Sequence, residues 1–170
     1  MVAVNPTRLK FQINDLMTFF ESPVEFRQNL HALFSLYANY ALRLGDNEFT
    51  RSLIPRYNLP HPVIRQLNAD LQLLIDKDPQ SALKLADELW KDEYYEVKYL
   101  AIYILSIFPI KEDPHPVLNR IRTWLTPNLE RILKSDLLAV GTSSLQKDFP
   151  QAWEDLIASL LMSDKTSMTS

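Results

Sequence analysis

Apolar residues recur along most of this chain at intervals of three and four, the spacing that gathers them on one face of a helix. Leu9, Ile13, Leu16, Met17 and Phe20 follow it in the first segment. Leu30, Leu33, Phe34, Tyr37 and Ala41 follow it in the second, which stops near Gly45. The pattern predicts a short helix over 46–53 and an extended link over 54–61. Helices are then expected over 62–76, 79–91, 94–108, 115–125, 127–134, 136–147 and 150–162. No segment alternates long enough to read as a strand.

The helix over 94–108 differs from the others. Val97, Leu100, Ala101, Ile104, Leu105 and Phe108 fill one face, while Tyr95, Tyr99, Ile102 and Tyr103 make much of the remainder apolar. A helix that is hydrophobic nearly all round is buried on more than one side, so this one is expected at the centre. Starts are marked by prolines paired with capping residues: Asn5-Pro6, Ser22-Pro23, Asp78-Pro79, Asp113-Pro114 and Thr126-Pro127. Ser22 and Glu25 also have the spacing of a capping box. Helices joined by short links lie antiparallel to their neighbours, so the expectation is all-α, either an irregular helical bundle or a stack of hairpins. One domain is expected over 1–162, with 163–170 as a flexible polar tail.

Composition narrows the chemistry. The 170 residues are 46% hydrophobic, enough for one real core. There is no cysteine, which excludes disulfides, thiolate catalysis and thiolate-bound metals and suits a reducing cytoplasm. A cytoplasmic location is expected, with no signal peptide and no apolar run long enough to cross a bilayer. Net charge is −3, slightly positive over 111–147 and negative over 61–110 and 148–170, so any footprint for nucleic acid is faint. With two glycines, the chain lacks the loops that cradle phosphates. His31, His61 and His115 lie too far apart in sequence to read as a metal set, and no cofactor is expected. Asp87, Glu88, Asp92, Glu93 and Glu96 crowd the junction of two helices, where acids complement a helix N-terminus. Arg120, Arg122, Arg131 and Lys134 form the best basic set, either phosphate contacts or a solvated helix face.

Two stretches carry a resemblance. "RYNLPHPVIRQL" (56–67) and "LADELWKDEYYEVKYLAIYIL" (85–105) resemble the DNA alkylation repair family, AlkD-like glycosylases built from HEAT-like repeats. The matching positions are Pro62, Arg65, Leu89, Trp90, Glu96, Lys98 and Ala101. The resemblance implies a HEAT-like α-solenoid of antiparallel helix pairs. It also implies a cleft in which an aspartate and tryptophans stabilise positive charge on an alkylated base and its sugar. Asp136, in "RILKSDLLAVGTSSL", looks like that aspartate, while Ile132 stands where the family has a tryptophan one turn earlier. Later repeats that supply a further arginine and tryptophan have no counterpart here. Trp90 and Trp124 are candidate cleft aromatics, although both sit among apolar neighbours at helical spacing, as core residues do. Asp136 follows Ser135, so an acid simply complementing a helix N-terminus is the competing reading.

Three functions are compatible with these observations. The first is a non-catalytic helical-repeat module whose concave face binds duplex DNA or a protein. The second is a glycosylase excising 3-methyl or 7-methyl purines, with Asp136 as electrostatic stabiliser. The third is a structural or assembly protein that meets its partner through an acidic face.

Overall fold

The computed structural model describes residues 3–39 and 53–167. These form nine helices and no strand among the described residues: α1 Pro6–Met17, α2 Pro23–Tyr37, α3 His61–Lys77, α4 Pro79–Trp90 and α5 Tyr95–Ile107. They continue as α6 His115–Trp124, α7 Arg131–Ala139, α8 Ser143–Asp148 and α9 Pro150–Ser167.

Two of the proline-marked starts are capped as their residue types suggest. Asn5 Oδ1 accepts from Arg8 N at 3.1 Å. Asp78 accepts from Ser81 N at 3.2 Å and from Ser81 Oγ at 2.6 Å, bonds that hold its carboxyl below the ordinary value of 3.8. Ser22 makes no side-chain cap bond, so the capping box expected there is absent. Asp113 serves the turn before α6, accepting from His115 N at 2.9 Å.

Four boundaries differ from expectation. The second helix ends at Tyr37, because Ala38 is extended with ψ 138°; Ala41 and Gly45 lie outside the described residues. The helix expected over 46–53 also falls outside them, except for Leu53, which is not helical. Thr126-Pro127 opens a turn closed by Leu129 N to Thr126 O at 3.1 Å, not a helix. The helices expected over 127–134 and 136–147 are therefore α7 and α8, separated by a turn at 140–142. At the other end, α9 runs through 163–167, a stretch whose small polar residues suggest a tail.

Packing follows an ordered succession. α1 packs on α2 and α3, α2 on α4, α3 on α4 and α5, and α5 on α7 and α8. Odd-numbered helices α1, α3, α5 and α7 thus stack in one layer, with α2 and α4 stacked beside them in a second. α6 continues the second layer through contacts of Arg120 and Trp124 with α4. Each helix from α1 to α5 packs on the helix two places along the chain as well as on a sequence neighbour, so the apolar faces are buried in ordered succession. The α4–α5 pairing is the most extensive, and Val97, Ala101, Ile102, Ile104 and Leu105 of α5 are all fully buried. The all-round apolar pattern of that helix has its reason here: α3, α4, α7 and α8 enclose it.

Candidate functional site

The acid-rich junction between α4 and α5 divides into separate tethers. Asp87 meets Arg120 of α6 in a two-pronged pair, Oδ1 to Nε and Oδ2 to Nη2, each 2.8 Å. Glu88 meets Arg27 of α2 at 3.3 Å and Lys91 at 2.9 Å. Asp92 Oδ2 lies 2.6 Å from His31 Nε2, and Asp92 Oδ1 accepts from Tyr94 N at 2.9 Å. Glu96 accepts from Tyr57 N at 3.0 Å and Asn58 N at 2.8 Å. Proximity to a helix N-terminus explains Glu96, in the first turn of α5, only in part, since these four acids reach three separate parts of the fold: Asp87 reaches α6, Glu88 and Asp92 reach α2, and Glu96 reaches the link before α3.

The link before α3 passes over the same junction. Pro55 O accepts from Tyr95 N at 3.0 Å, and Tyr57 O accepts from Asn39 N at 2.9 Å. Successive side chains of this extended segment leave on opposite sides. Tyr57 stacks on Tyr94, ring centroids 4.3 Å apart, and its hydroxyl lies 2.5 Å from His31 Nδ1. A carboxylate only accepts, so His31 Nε2 carries a proton toward Asp92; in the neutral ring Nδ1 accepts from the Tyr57 phenol. Arg56 leaves toward the other side, its guanidinium carbon 4.1 Å above the Tyr95 ring.

Tyr95 joins this junction to Asp136. Its phenol donates to Asp136 Oδ2 at 2.5 Å. Tyr99, one turn along α5, has its ring centroid 5.9 Å from that of Tyr95. Burial first, then the Asp136 hydrogen bond and charge, push the Tyr95 phenol far above its ordinary value. Burial and the Asp136 charge raise Tyr99 as well, and burial raises Tyr103. Each phenol is favoured protonated in the folded state, so its contribution is full below the ordinary value of 10.0 and is lost as pH rises above it. Melting temperature is expected to fall steeply above pH 10, and less steeply for Tyr95→Phe, as measured by circular dichroism beside a 295 nm phenolate titration. An identical alkaline fall in the variant would contradict the assignment.

Asp136 itself is the sixth residue of α7, beyond its first turn. Complementing a helix N-terminus therefore does not account for it. Its carboxylate is half-buried between α5 and α7 beside two phenols. Carboxylate and π-faces both lower the energy of a nearby cation.

The other sequence candidates do not gather round Asp136. Arg120 is engaged by Asp87 and by Pro116 O, which accepts from Nη1 at 3.0 Å. Arg122, Arg131 and Lys134 are exposed. At about 100° per residue, Arg131 and Lys134 stand roughly 140–160° round α7 from Asp136. Trp90 and Trp124 stack on each other, centroids 4.6 Å apart and planes within 8°, and Trp124 is buried. Lys98 lies 4.3 Å over the Trp90 ring and donates to Trp90 O. Sequence reasoning missed Arg56, His31 and Tyr95 as site residues, because their partners lie 26 to 61 positions away, and with them Tyr99, which reaches the site beside Tyr95. The one local signal was the tyrosine spacing of four along α5, which places Tyr95, Tyr99 and Tyr103 in one stripe.

Among the described residues, no group of three or more His, Asp or Glu is placed to hold a metal ion, and no helix is long and apolar enough to cross a membrane. No curated protein and no solved structure is similar enough to match the chain. Residues 32–166 match the family described as DNA alkylation repair enzyme, a span that takes in the link, the α4–α5 junction and Asp136. With most of its length matched, the chain belongs to the DNA alkylation repair enzyme family.

Proposed function

We propose that this protein is a DNA-binding helical-repeat module that holds a cationic alkylated base against Asp136 without excising it. The observation that carries the reading is the half-buried Asp136 carboxylate, set at the start of the last turn of α7 and flanked by Tyr95 and Tyr99. A methylated purine carries positive charge on its ring, and a carboxylate beside aromatic rings attracts such a group while leaving a neutral base indifferent. Family membership points to DNA as the partner. Two features favour binding over excision. Tyr95 already occupies one carboxylate oxygen, and Ile132 stands where the resemblance calls for a tryptophan.

The test is a pair of duplexes that differ by one N7-methylguanine. Tighter binding of the methylated duplex is expected, by about tenfold, a difference of about 1.4 kcal/mol. Asp136→Asn, which keeps shape and removes charge, should bring the ratio close to one while leaving the affinity for unmodified duplex in place. Equal binding of the two duplexes by the unmutated protein would end this reading. Release of free methylpurine, lost in Asp136→Asn, would establish excision in its place.

A further inference from the structure

The geometry points to Glu96 as a positioning residue for the Asp136 site, acting through the link that carries Arg56. Its role rests on the proposed reading of that site only in its functional consequence; the structural part stands on hydrogen bonds and on the contact of Arg56 with the Tyr95 ring.

The link crosses the start of α5 in a conformation that needs fixing. Asn58 has φ 54°, in the left-handed region that non-glycine residues adopt sparingly. Glu96 holds the backbone at this point. Oε1 accepts from both Tyr57 N at 3.0 Å and Asn58 N at 2.8 Å, and Oε2 lies 3.1 Å from Tyr57 N. A carboxylate taking adjacent backbone N–H groups makes charge-assisted bonds, which are roughly twice as strong as neutral ones. The segment held this way presents Tyr57 to His31 on one side and Arg56 to the Tyr95 ring on the other.

Arg56 covers the Tyr95 ring at 4.1 Å, and Tyr95 in turn donates to Asp136. The sequence of supports is therefore Glu96, link backbone, Arg56, Tyr95, Asp136. Glu96 touches neither Asp136 nor anything bound there. It decides where Arg56 lies, Arg56 fixes the phenol, and the phenol fixes which oxygen of Asp136 remains open. Glutamine at 96 keeps one oxygen in the place of Oε1, which alone reaches both N–H groups, and gives up only the longer contact of Oε2 with Tyr57 N, so it should preserve the arrangement; alanine removes both oxygens.

Two measurements test this. In the free protein, Arg56 side-chain proton signals should be shifted upfield by the Tyr95 ring, and Tyr95→Leu identifies the shift by abolishing it. Glu96→Ala should lose that shift and Glu96→Gln should keep it, with spectra recorded where circular dichroism shows each variant folded. Retention of the shift in folded Glu96→Ala would overturn the proposal. Should Glu96→Ala not fold, Glu96→Asp, shorter by one methylene, carries the test: loss of the shift supports the proposal and retention overturns it. The second measurement uses the methylated and unmodified duplexes. Glu96→Ala combined with Arg56→Gln should bind with the same methylation preference as Arg56→Gln alone, since both act through one group. An additive loss would mean that Glu96 acts otherwise. If the unmutated protein shows no preference, the proposed function fails, and the ring shift still decides the place of Glu96.

Discussion

Replacing Ile102 with aspartate is expected to leave the protein unfolded at 25 °C. On a helical wheel Ile102 looks dispensable. It stands roughly a third of a turn from the face made by Val97, Leu100, Ala101, Ile104 and Leu105, where an edge helix meets solvent. In this fold it is fully buried, because α5 is enclosed by helices on several sides. Truncation to alanine alone costs about 2–5 kcal/mol in such a setting. An unpaired buried carboxylate adds several kcal/mol more. Against a total stability of about 5–15 kcal/mol for an ordinary domain, the sum consumes most or all of it. Ile102→Val, which removes one methylene, should cost only about 0.5–1.5 kcal/mol and serves as control. Urea unfolding followed by far-UV circular dichroism reads all three. An Ile102→Asp protein that stays folded, with a midpoint near the parent's, would show that α5 has an open side.

That a helix this apolar must be central was legible in the sequence, because enclosure leaves its mark on every position of the element. The Asn5 and Asp78 caps were legible for a similar reason: their partners sit three residues away. Errors arose where a local signal allowed two outcomes. Thr126-Pro127 has the form of a helix start, yet its backbone closes a turn and α7 begins at Arg131. That displacement changes the meaning of Asp136. Read after Ser135 it is a first-turn acid; in the structure it opens the last turn of α7, the end of a helix where the dipole opposes an acid. Glu96 shows the limit from the other side. The resemblance flagged the residue, and its place near a helix start supplied an adequate explanation. The bonds to Tyr57 and Asn58 span 39 and 38 positions and leave no trace in periodicity. Long-range polar contacts depend on how the helices are set against one another, which spacing within one helix does not encode.

The second large effect is expected at Trp124, and it separates a wall of the core from a wall of a cleft. Trp124→Ala should destabilise by about 3–5 kcal/mol. At roughly 2–4 °C per kcal/mol for a chain of this size, melting should fall by roughly 6–20 °C. The reason is the pairing of α4 with α6. Trp124 is buried against Trp90 in a near-parallel stack, and such aromatic pairs contribute about 0.5–1.5 kcal/mol beyond the area they bury. The other tie between these helices, Arg120 with Asp87, is part-exposed at 23% and 44% and contributes at most about 1 kcal/mol. Breaking it with Arg120→Ala should therefore move melting far less, although its geometry is the more regular of the two. A tryptophan serving bound DNA would behave in the opposite way. Trp124→Phe keeps an apolar ring against Trp90, so it should recover much of the stability and leave binding of both duplexes unchanged. A loss of duplex binding in Trp124→Phe at unchanged melting temperature would place Trp124 at the DNA surface and not in the seam between α4 and α6.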